Sequence, residues 1–289
     1  MVSPDGNTRA SFVPELGGIG SSLILPGPGG PRELIYHHDF MWDRDPDSQR
    51  GGWPFLFPIC GRLERDGRPE VYVHGGREYR MKIHGFSLRL PWHVVLAAAD
   101  ELTMALADTD ETRAVYPFRF EVRLRYRVEN GAMVCEQTCV NRGDSPMPYY
   151  AGFHPYFRTP PPGGGKDRTL VYCQAARRLS YNGKLSDVVG ESPAPAIPVS
   201  VADPHVNEML FELGASGESR MDFPDGLSIH MDAGRELFPY LQFYTKPDRA
   251  FFCIEPWMGV PNSLNHGCAR VLAPGARERA TLRVWTSQV

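Results

Sequence analysis

The chain has 289 residues, of which 42% are hydrophobic and 22% are charged, and its formal net charge is -3. A chain of this size and composition can bury one large core, so we predict a single domain over residues 1–289. The weakly acidic balance excludes nucleic acid and anionic membrane surfaces as partners, because both need a basic patch, and it favours a small ligand.

The N-terminus carries no sign of a targeting segment. Residues 1–7 have neither the basic nor the apolar stretch of a signal peptide, and no later run reaches the ~18 apolar residues of a spanning helix. We therefore expect a soluble, cytoplasmic protein.

The cysteines are scattered, without a C-x-x-C pair or a regular framework. This spacing favours buried free thiols over disulfides or a zinc site. We expect no disulfide at any of the six positions, which are Cys60, Cys135, Cys139, Cys173, Cys253 and Cys268.

Short apolar runs cut by glycine and proline mark the first part of the chain. Residues 10–25 show no helical period and are typical of edge strands. The apolar stretch from residue 51 contains Pro54 and Pro58, which rule out a helix interior and a central strand. We expect an extended segment there that leads to Arg62.

Two hairpins follow. Gly75-Gly76 separates two short strand-like runs and predicts a tight turn. Over residues 120–129 apolar and charged residues alternate without error, which predicts a half-buried strand. The Asn130-Gly131 turn signal after it predicts a hairpin that places Arg125 opposite Glu136 and Val128 opposite Met133.

Two further strands end at ionisable residues. The aromatic run from residue 149 reaches His154, and the apolar run of residues 251–254 reaches Glu255. Because Pro256 cannot donate a ladder hydrogen bond, we expect this second strand to stop, or to meet a sheet edge, at Glu255. Its carboxylate could serve in catalysis or in a structural ion pair.

A loop rich in proline and glycine spans residues 159–166. It ends in Gly-Gly-Gly-Lys, but Asp167 follows and prolines precede, so it is not a phosphate-binding P-loop. We expect a mobile surface loop without apolar anchors.

Turn-forming residues are frequent along the whole chain. With 29 glycines, 27 prolines and many short strands, the pattern predicts an all-β protein built as an antiparallel β-sandwich.

Four polar residues stand at comparable points of this pattern, namely Arg62, His84, His154 and Glu255. The last three are expected to close strands. A histidine and a glutamate at neighbouring strand ends can form an acid and base pair. An isolated histidine is more often structural, and Arg62 could equally form a structural ion pair.

In order and spacing, four motifs resemble the aldose 1-epimerase (galactose mutarotase-like) family, in its bacterial subgroup of uncertain sugar preference. The resemblance implies an antiparallel β-supersandwich and an isomerase that interconverts the α and β anomers of an aldohexose without a cofactor or metal. The motifs are Gly-Gly-Trp-Pro-Phe-Leu-Phe-Pro at residues 51–58 with Gly61-Arg62, then His84-Gly85-Phe86, His154-Pro155-Tyr156-Phe157 and Glu255-Pro256-Trp257.

The resemblance also implies roles for these residues. Glu255 would be the catalytic base and His154 the acid, so one must be ionised while the other is protonated. His84 would hydrogen-bond near the sugar ring oxygen or the C1 hydroxyl, and Arg62 would bind sugar hydroxyls. Trp257 would contact the sugar ring.

The family often also places a sugar-binding aspartate on a loop before the last strands. Here residues 203–208 offer several candidates, and Asp203 is the one we name.

Rival interpretations start from the same residues. The chain could bind a sugar without turnover, or take a 6-phosphorylated hexose with help from Lys82 and Arg89. A glycosidase would need a second carboxylate beside Glu255 in a motif, and none is found. A metal site could be formed by His74, His84, His154 and Glu255, but these residues lack the usual ligand spacing. A monomer is favoured, but the pattern does not fix the oligomeric state.

Overall fold

The computed structural model describes residues 1–42 and 51–288, and antiparallel strands dominate them. The strands of the first half are β1 (Arg9–Val13), β2 (Ile19–Gly27), β3 (Gly30–Glu33), β4 (Phe55–Leu56), β5 (Glu64–Arg65), β6 (Arg68–Pro69), β7 (Val71–His74), β8 (Arg77–Arg80), β9 (His93–Ala97), β10 (Glu101–Ala107), β11 (Phe120–Glu129) and β12 (Ala132–Asn141). Those of the second half are β13 (Met147–Tyr149), β14 (Gly152–Phe153), β15 (Tyr156–Arg158), β16 (Leu170–Cys173), β17 (Ala175–Tyr181), β18 (Val188–Pro193), β19 (Val199–Ser200), β20 (Met209–Leu213), β21 (Glu218–Asp222), β22 (Leu227–Asp232), β23 (Tyr240–Thr245), β24 (Phe251–Trp257), β25 (Arg270–Leu272) and β26 (Arg277–Gln288).

Helices are short. The α-helices in the described residues are α1 (Asp110–Val115) and α2 (Ser263–His266), and 3-10 turns cover Pro14–Leu16, Asp39–Trp42, Ser87–Arg89, Lys166–Arg168 and Pro204–Val206. Over residues 1–42 and 51–288 the chain forms no helix with the length and hydropathy that a membrane span needs.

Two large antiparallel sheets organise the described part of the chain. A nine-stranded sheet runs in the order β19-β16-β21-β22-β26-β12-β11-β10-β9. An eight-stranded sheet runs β18-β17-β20-β23-β24-β14-β4, with β15 also paired to β24. One hydrophobic core joins residues of both sheets, such as Tyr126 and Ile254. The predicted all-β fold of antiparallel sheets is confirmed.

The two predicted hairpins form with the expected registers. Strands β7 and β8 pair His74 with Arg77 around the two glycines. Strands β11 and β12 pair Arg125 with Glu136 and Val128 with Met133. The Arg125 guanidinium, however, forms its salt bridge with Glu101 on the other neighbouring strand, at 2.6 Å.

The prediction that a strand stops at Glu255 is wrong. Strand β24 continues to Trp257 and lies between β23 and β14 inside the eight-stranded sheet. On one side it pairs with β15 over residues 251–253 and with β14 only at Trp257. On that side, the Met258 N–H donates to Ala151 O. Because the backbone nitrogens of a strand point alternately to its two sides, the nitrogen of Pro256 points to this side as well. Pro256 therefore lies at a position of β24 where no neighbouring strand would accept a backbone hydrogen bond from it.

The loop at residues 159–166, expected to be mobile because it lacks apolar anchors, is held by hydrogen bonds at both of its ends. Thr159 donates its N–H to Ala250 O. Lys166 is 1% exposed, and its ammonium donates to Thr245 Oγ1 at 2.9 Å, Lys246 O at 2.8 Å and Arg249 O at 2.7 Å. The lysine fastens the loop to the turn between β23 and β24.

All six cysteines are free thiols, as predicted. Their burial is not uniform, because Cys173 is partly exposed and Cys268 is exposed. The expectation of buried thiols therefore fails at these two positions.

Candidate active site

A pocket with a cavity volume of about 80 Å³ gathers most of the predicted site residues. The pocket brings together Arg62, His84, His154, Glu255 and Trp257, but not Asp203. We call it the site pocket, and its lining is Gly61, Arg62, Ile83, His84, His154, Tyr181, Leu185, Glu208, Gln242, Tyr244, Glu255, Trp257 and Pro261.

Glu255 lies at the bottom of the site pocket. Its side chain is 1% exposed, and its Oε1 lies 3.3 Å from His154 Nε2. Burial raises the pKa of Glu255 well above its usual range, the nearby Glu208 charge raises it further, and the Trp257 indole opposes both. Within the described residues, neither Glu255 Oε2 nor Trp257 Nε1 has a partner with hydrogen-bond geometry.

His154 directly follows β14, as predicted for a residue at a strand end. Its backbone N–H donates to Pro54 O at 3.0 Å, and its ring stacks on Tyr156 with centroids 4.7 Å apart. Burial lowers the pKa of His154 to about 3. Burial thus favours a neutral imidazole beside a protonated carboxyl. The expected acid and base roles require instead a protonated imidazole beside an ionised carboxylate.

His84 lies in a turn and not at a strand end, which corrects the expectation. Its backbone is left-handed, with φ 65°, and it exchanges two hydrogen bonds with Gly61. His84 N donates to Gly61 O at 2.9 Å, and Gly61 N donates to His84 Nδ1 at 3.0 Å. Since Nδ1 accepts, the neutral ring carries its proton on Nε2 and can only donate from that atom.

The His84 turn is fixed from both sides. Arg89 Nη1 donates to Ile83 O at 3.1 Å and to Gly85 O at 2.6 Å. Gly85 has φ 72°, and a Cβ there would lie 2.2 Å from Phe57 O. Only glycine allows this approach, so His84 is held against the Phe57 strand segment.

Charges around His84 reinforce its neutral state. Burial lowers the pKa of His84 well below its usual range, and His154, Arg89 and Arg62 lower it further. The imidazole is therefore a neutral hydrogen-bond donor at neutral pH.

Arg62 and Trp257 differ in exposure. Arg62 is exposed at the rim of the site pocket and forms no salt bridge with any residue of ranges 1–42 and 51–288. This does not support the structural ion pair considered for it. Trp257 is 3% exposed, and its ring centroid lies 6.1 Å from that of His84. Its indole therefore forms an apolar wall next to the histidines.

The structure places Asp203 outside the site pocket. Its carboxylate accepts from His205 N at 2.8 Å and lies 2.9 Å from His205 Nδ1, so it caps a short 3-10 turn. The same segment reaches the pocket five positions later, through Glu208, whose φ is 57°. Burial raises the pKa of Glu208, and the Arg62 charge opposes this shift. The candidate carboxylate of this segment is thus Glu208.

Sequence reasoning missed Tyr181 and Gln242. Gln242 is 2% exposed and lies on β23 opposite Glu255. Its Oε1 accepts from Tyr181 OH at 2.8 Å, and its Nε2 donates to Glu208 Oε2 at 2.9 Å. The one available signal was a glutamine inside an apolar strand, which becomes informative only when the strand pairing is known.

A group of potential metal ligands overlaps the pair. One donor atom each from His154, Cys253 and Glu255 lies within 4.8 Å of the others. Burial and the Glu255 charge raise the pKa of the Cys253 thiol well above its usual range, so burial favours the thiol over the thiolate. His74, which was also considered as a ligand, packs on Phe118. Two members of the group, His154 and Glu255, are in addition suited to proton transfer.

Known proteins share this arrangement of strands. The model of the aldose 1-epimerase family matches residues 33–285. The chain is 25% identical to the chromosomal protein LacX of Lactococcus lactis over 247 residues, which are 79% of this chain and 81% of that protein. It is similar to a solved protein of Synechocystis sp. PCC 6803, with 28% identity, a TM-score of 0.83, and coverage of 98% and 93% of the two chains. A galactose mutarotase related enzyme from Lactobacillus acidophilus gives 22% identity, a TM-score of 0.83, and coverage of 100% and 97%.

Proposed function

We propose that this chain, which belongs to the aldose 1-epimerase family, interconverts the α and β anomers of an aldose. The observation that carries the proposal is the contact of 3.3 Å between His154 Nε2 and Glu255 Oε1, two buried side chains that both line the site pocket. A histidine and a carboxyl group in contact at a pocket wall are suited to acid and base catalysis.

The reaction needs one proton acceptor and one proton donor. One group takes the proton of the C1 hydroxyl while the other protonates the ring oxygen, so the C1–O5 bond breaks and an aldehyde forms. Rotation about C1–C2 and the reverse transfers close the ring as the other anomer. A buried pair that holds a single proton meets this requirement, because one member is always available as the acceptor.

We assign the base to Glu255 and the acid to His154. Burial favours the proton on Glu255, so sugar binding must move it to His154. The C1 hydroxyl and the Trp257 N–H can both donate towards Glu255, and donors of this kind stabilise a carboxylate. Each proton-transfer group contributes about 10² to 10⁴ in rate.

Other residues of the site pocket would hold the sugar. His84 offers an Nε2–H donor beside the pair, and Arg62 offers guanidinium donors at the rim. Glu208 has one oxygen bound by Gln242 and can accept a sugar hydroxyl with the other. These donors and acceptors suit a neutral polyhydroxyl ligand.

The lining of the pocket does not favour a 6-phosphate. Neither Lys82 nor Arg89 lines the site pocket. Among the described residues that line the pocket, Arg62 is the one lysine or arginine, and its charge acts on the carboxyl group of Glu208. A phosphate dianion would lack compensating charge there.

The test is an NMR exchange measurement of anomer interconversion on a panel of aldoses, each with and without a 6-phosphate. We expect acceleration over buffer for at least one neutral aldose. Sugar binding without acceleration for any member of the panel would instead identify a carbohydrate-binding protein.

A further inference from the structure

Asn262 adjoins the wall of the site pocket without lining it. Its neighbour Pro261 lines the pocket, and so do Gly61 and Arg62 of a second segment and Leu185 of a third. Asn262 is 3% exposed, and its backbone is left-handed, with φ 66°. Any influence of Asn262 on a bound ligand would therefore pass through these neighbours.

The segment that carries Arg62 is held by Asn262. The Asn262 N–H donates to Arg62 O at 3.0 Å, and the Glu64 N–H donates to Asn262 Oδ1 at 3.1 Å. Gly61, at the start of the segment, exchanges its two hydrogen bonds with His84. We call the stretch from Gly61 to Glu64 the rim segment. Arg62 thus lies between two fixed points of the backbone.

Asn262 also contacts the turn between β17 and β18. Its Nδ2 donates to Asp187 Oδ2 at 3.4 Å. In the same turn, the Ser186 hydroxyl donates to Glu64 Oε2 at 2.9 Å, which joins the turn to the rim segment. Leu185, directly before Ser186, brings the turn into the site pocket. One buried amide therefore links two segments of the pocket wall.

The candidate catalytic pair lies outside this arrangement. His154 follows β14 and Glu255 lies on β24, and within the described residues neither forms a hydrogen bond with Asn262. Arg62, in contrast, is the one lysine or arginine among the described residues that line the site pocket. A change at Asn262 should therefore alter how a sugar is held and leave proton transfer intact.

We propose that Asn262 is a positioning residue, which fixes the backbone from which the Arg62 guanidinium reaches the sugar. This proposal rests on the proposed function, because that function supplies the ligand that Arg62 binds. The side-chain amide suits this role, since its oxygen accepts from Glu64 while its nitrogen donates to Asp187.

Asn262→Gly is the first test, because glycine keeps the left-handed backbone and removes only the amide. We expect the dissociation constant of the best aldose of the panel, measured by titration calorimetry, to rise about tenfold, because the hydrogen bonds from Arg62 to the sugar weaken. The kcat of anomer exchange should change by less than about threefold.

Asn141→Gly is the matched control. Asn141 is 0% exposed, and its amide donates to Ser145 O at 2.7 Å and to Leu272 O at 2.9 Å, neither of which lines the site pocket. This variant should lose stability and keep the affinity of the wild type. An equal loss of affinity in Asn141→Gly and Asn262→Gly would overturn the proposal.

A double-mutant cycle with Arg62→Ala separates positioning from a general loss of structure. If Asn262 acts through Arg62, Asn262→Gly should weaken binding by less than about twofold once Arg62 is replaced. Independent effects would multiply instead. A tenfold loss that persists in the Arg62→Ala variant would therefore overturn the proposal.

A swapped pair offers a rescue that keeps a polar side chain at both positions. Asn262→Asp retains the oxygen that accepts from Glu64 but places two carboxylates side by side, so it should weaken binding. Adding Asp187→Asn restores a donor between the two positions and should return the dissociation constant to within about threefold of the wild type. A folded double variant that binds no better than Asn262→Asp would contradict the positioning role.

Amide hydrogen exchange provides a measurement that needs no sugar. In Asn262→Gly the Glu64 amide should exchange about tenfold faster or more, while the His84 N–H, which donates to Gly61 O, should keep its rate. An unchanged rate at Glu64 would overturn the proposal. The expected pattern of affinities, without acceleration of anomer exchange by the wild type, would support the positioning role and overturn only the catalytic function.

Discussion

At the level of single residues, burial has the largest effect on the candidate catalytic pair. His154 and Glu255 approach within 3.3 Å, but the low polarity around them acts in the same sense on both and favours their uncharged forms. The sequence showed which two residues belong together, since each precedes a proline in a run of apolar residues. It could not show their protonation, because the burial of a strand residue depends on what packs over it.

The pH dependence of catalysis follows from these shifts. Burial lowers the pKa of His154 to about 3 and raises the pKa of Glu255. The pair therefore takes up a second proton only in acid, and it keeps its last proton to a higher pH than an exposed carboxyl would. The acid limb of kcat/KM should therefore lie near pH 3, and the rate should not fall on acidification through the usual histidine range. A rate, corrected for buffer catalysis, that falls on acidification near the usual histidine pKa would contradict this account.

Gln242 is the residue that we expect to position Glu208. Gln242→Leu removes the donor to Glu208 Oε2 and the acceptor of Tyr181, while His154 and Glu255 keep their contact. We predict that KM rises about tenfold with little change in kcat, because a hydrogen bond to a charged group contributes about 1.5–3 kcal/mol.

Two controls make this test specific to the site. Gln242→Glu places a second carboxyl beside Glu208. Because the two carboxylates repel each other once both are ionised, the KM of this variant should increase as pH rises, which a purely structural role would not produce. Gln137→Leu changes another buried glutamine, 1% exposed on β12 and away from the site pocket, and should leave KM unchanged. A rise in KM of the same size in Gln137→Leu would remove Gln242 from sugar binding.

At the level of elements, local patterns were predicted well and neighbour-dependent features were not. The alternation before Asn130 determined β11, its turn and its register, because these depend on residues close in sequence. The continuation of β24 through Pro256 was missed, because it depends on a gap between β14 and β15. Lys166 was misjudged for the same reason, since its acceptors lie about eighty positions away.

Lys166 should contribute measurably to stability. Burial lowers its pKa to about 8, although three oxygen acceptors favour the ammonium. Lys166→Met fills similar space but removes the ammonium donor to Arg249 O and one of the two donors to Lys246 O. We predict a loss of about 1–3 kcal/mol in the free energy of unfolding, measured with denaturant.

An exposed lysine is the control for this prediction. Lys184 is 60% exposed and binds Glu64 and the Gly67 carbonyl, so Lys184→Met should cost less than about 1 kcal/mol. Equal stability of the two variants would mean that Lys166 does not anchor the loop.

At the level of the whole molecule, the site exists only because distant segments converge. Arg62, His84 and His154 come from connections around the eight-stranded sheet, whereas Glu255 comes from its interior. The order of motifs along the chain predicted four of these positions. The replacement of Asp203 by Glu208 could not be foreseen, since it depends on a short 3-10 turn that orients one carboxylate away.

The shared core also bears on the predicted single domain. Residues of both large sheets, such as Tyr126, Leu282, Phe211 and Ile254, belong to one hydrophobic cluster. We therefore expect one cooperative unfolding transition, with the same midpoint by near-ultraviolet and far-ultraviolet circular dichroism. Two separated midpoints would show that the sheets unfold independently and would contradict the single-domain prediction.

The most direct test of the proposed mechanism is the exchange rate and sugar affinity of Glu255→Gln, measured by NMR on the best aldose of the panel. The variant keeps the shape of the side chain but cannot accept the C1 hydroxyl proton. Glu212→Gln, which changes a carboxylate of β20 bound to Arg177, is the control and should behave as wild type. We predict that Glu255→Gln slows exchange by about 10² to 10⁴ while its dissociation constant changes by less than about threefold. Wild-type exchange in Glu255→Gln would contradict the mechanism, and an equal loss of affinity and rate would reduce Glu255 to a sugar-binding or structural residue.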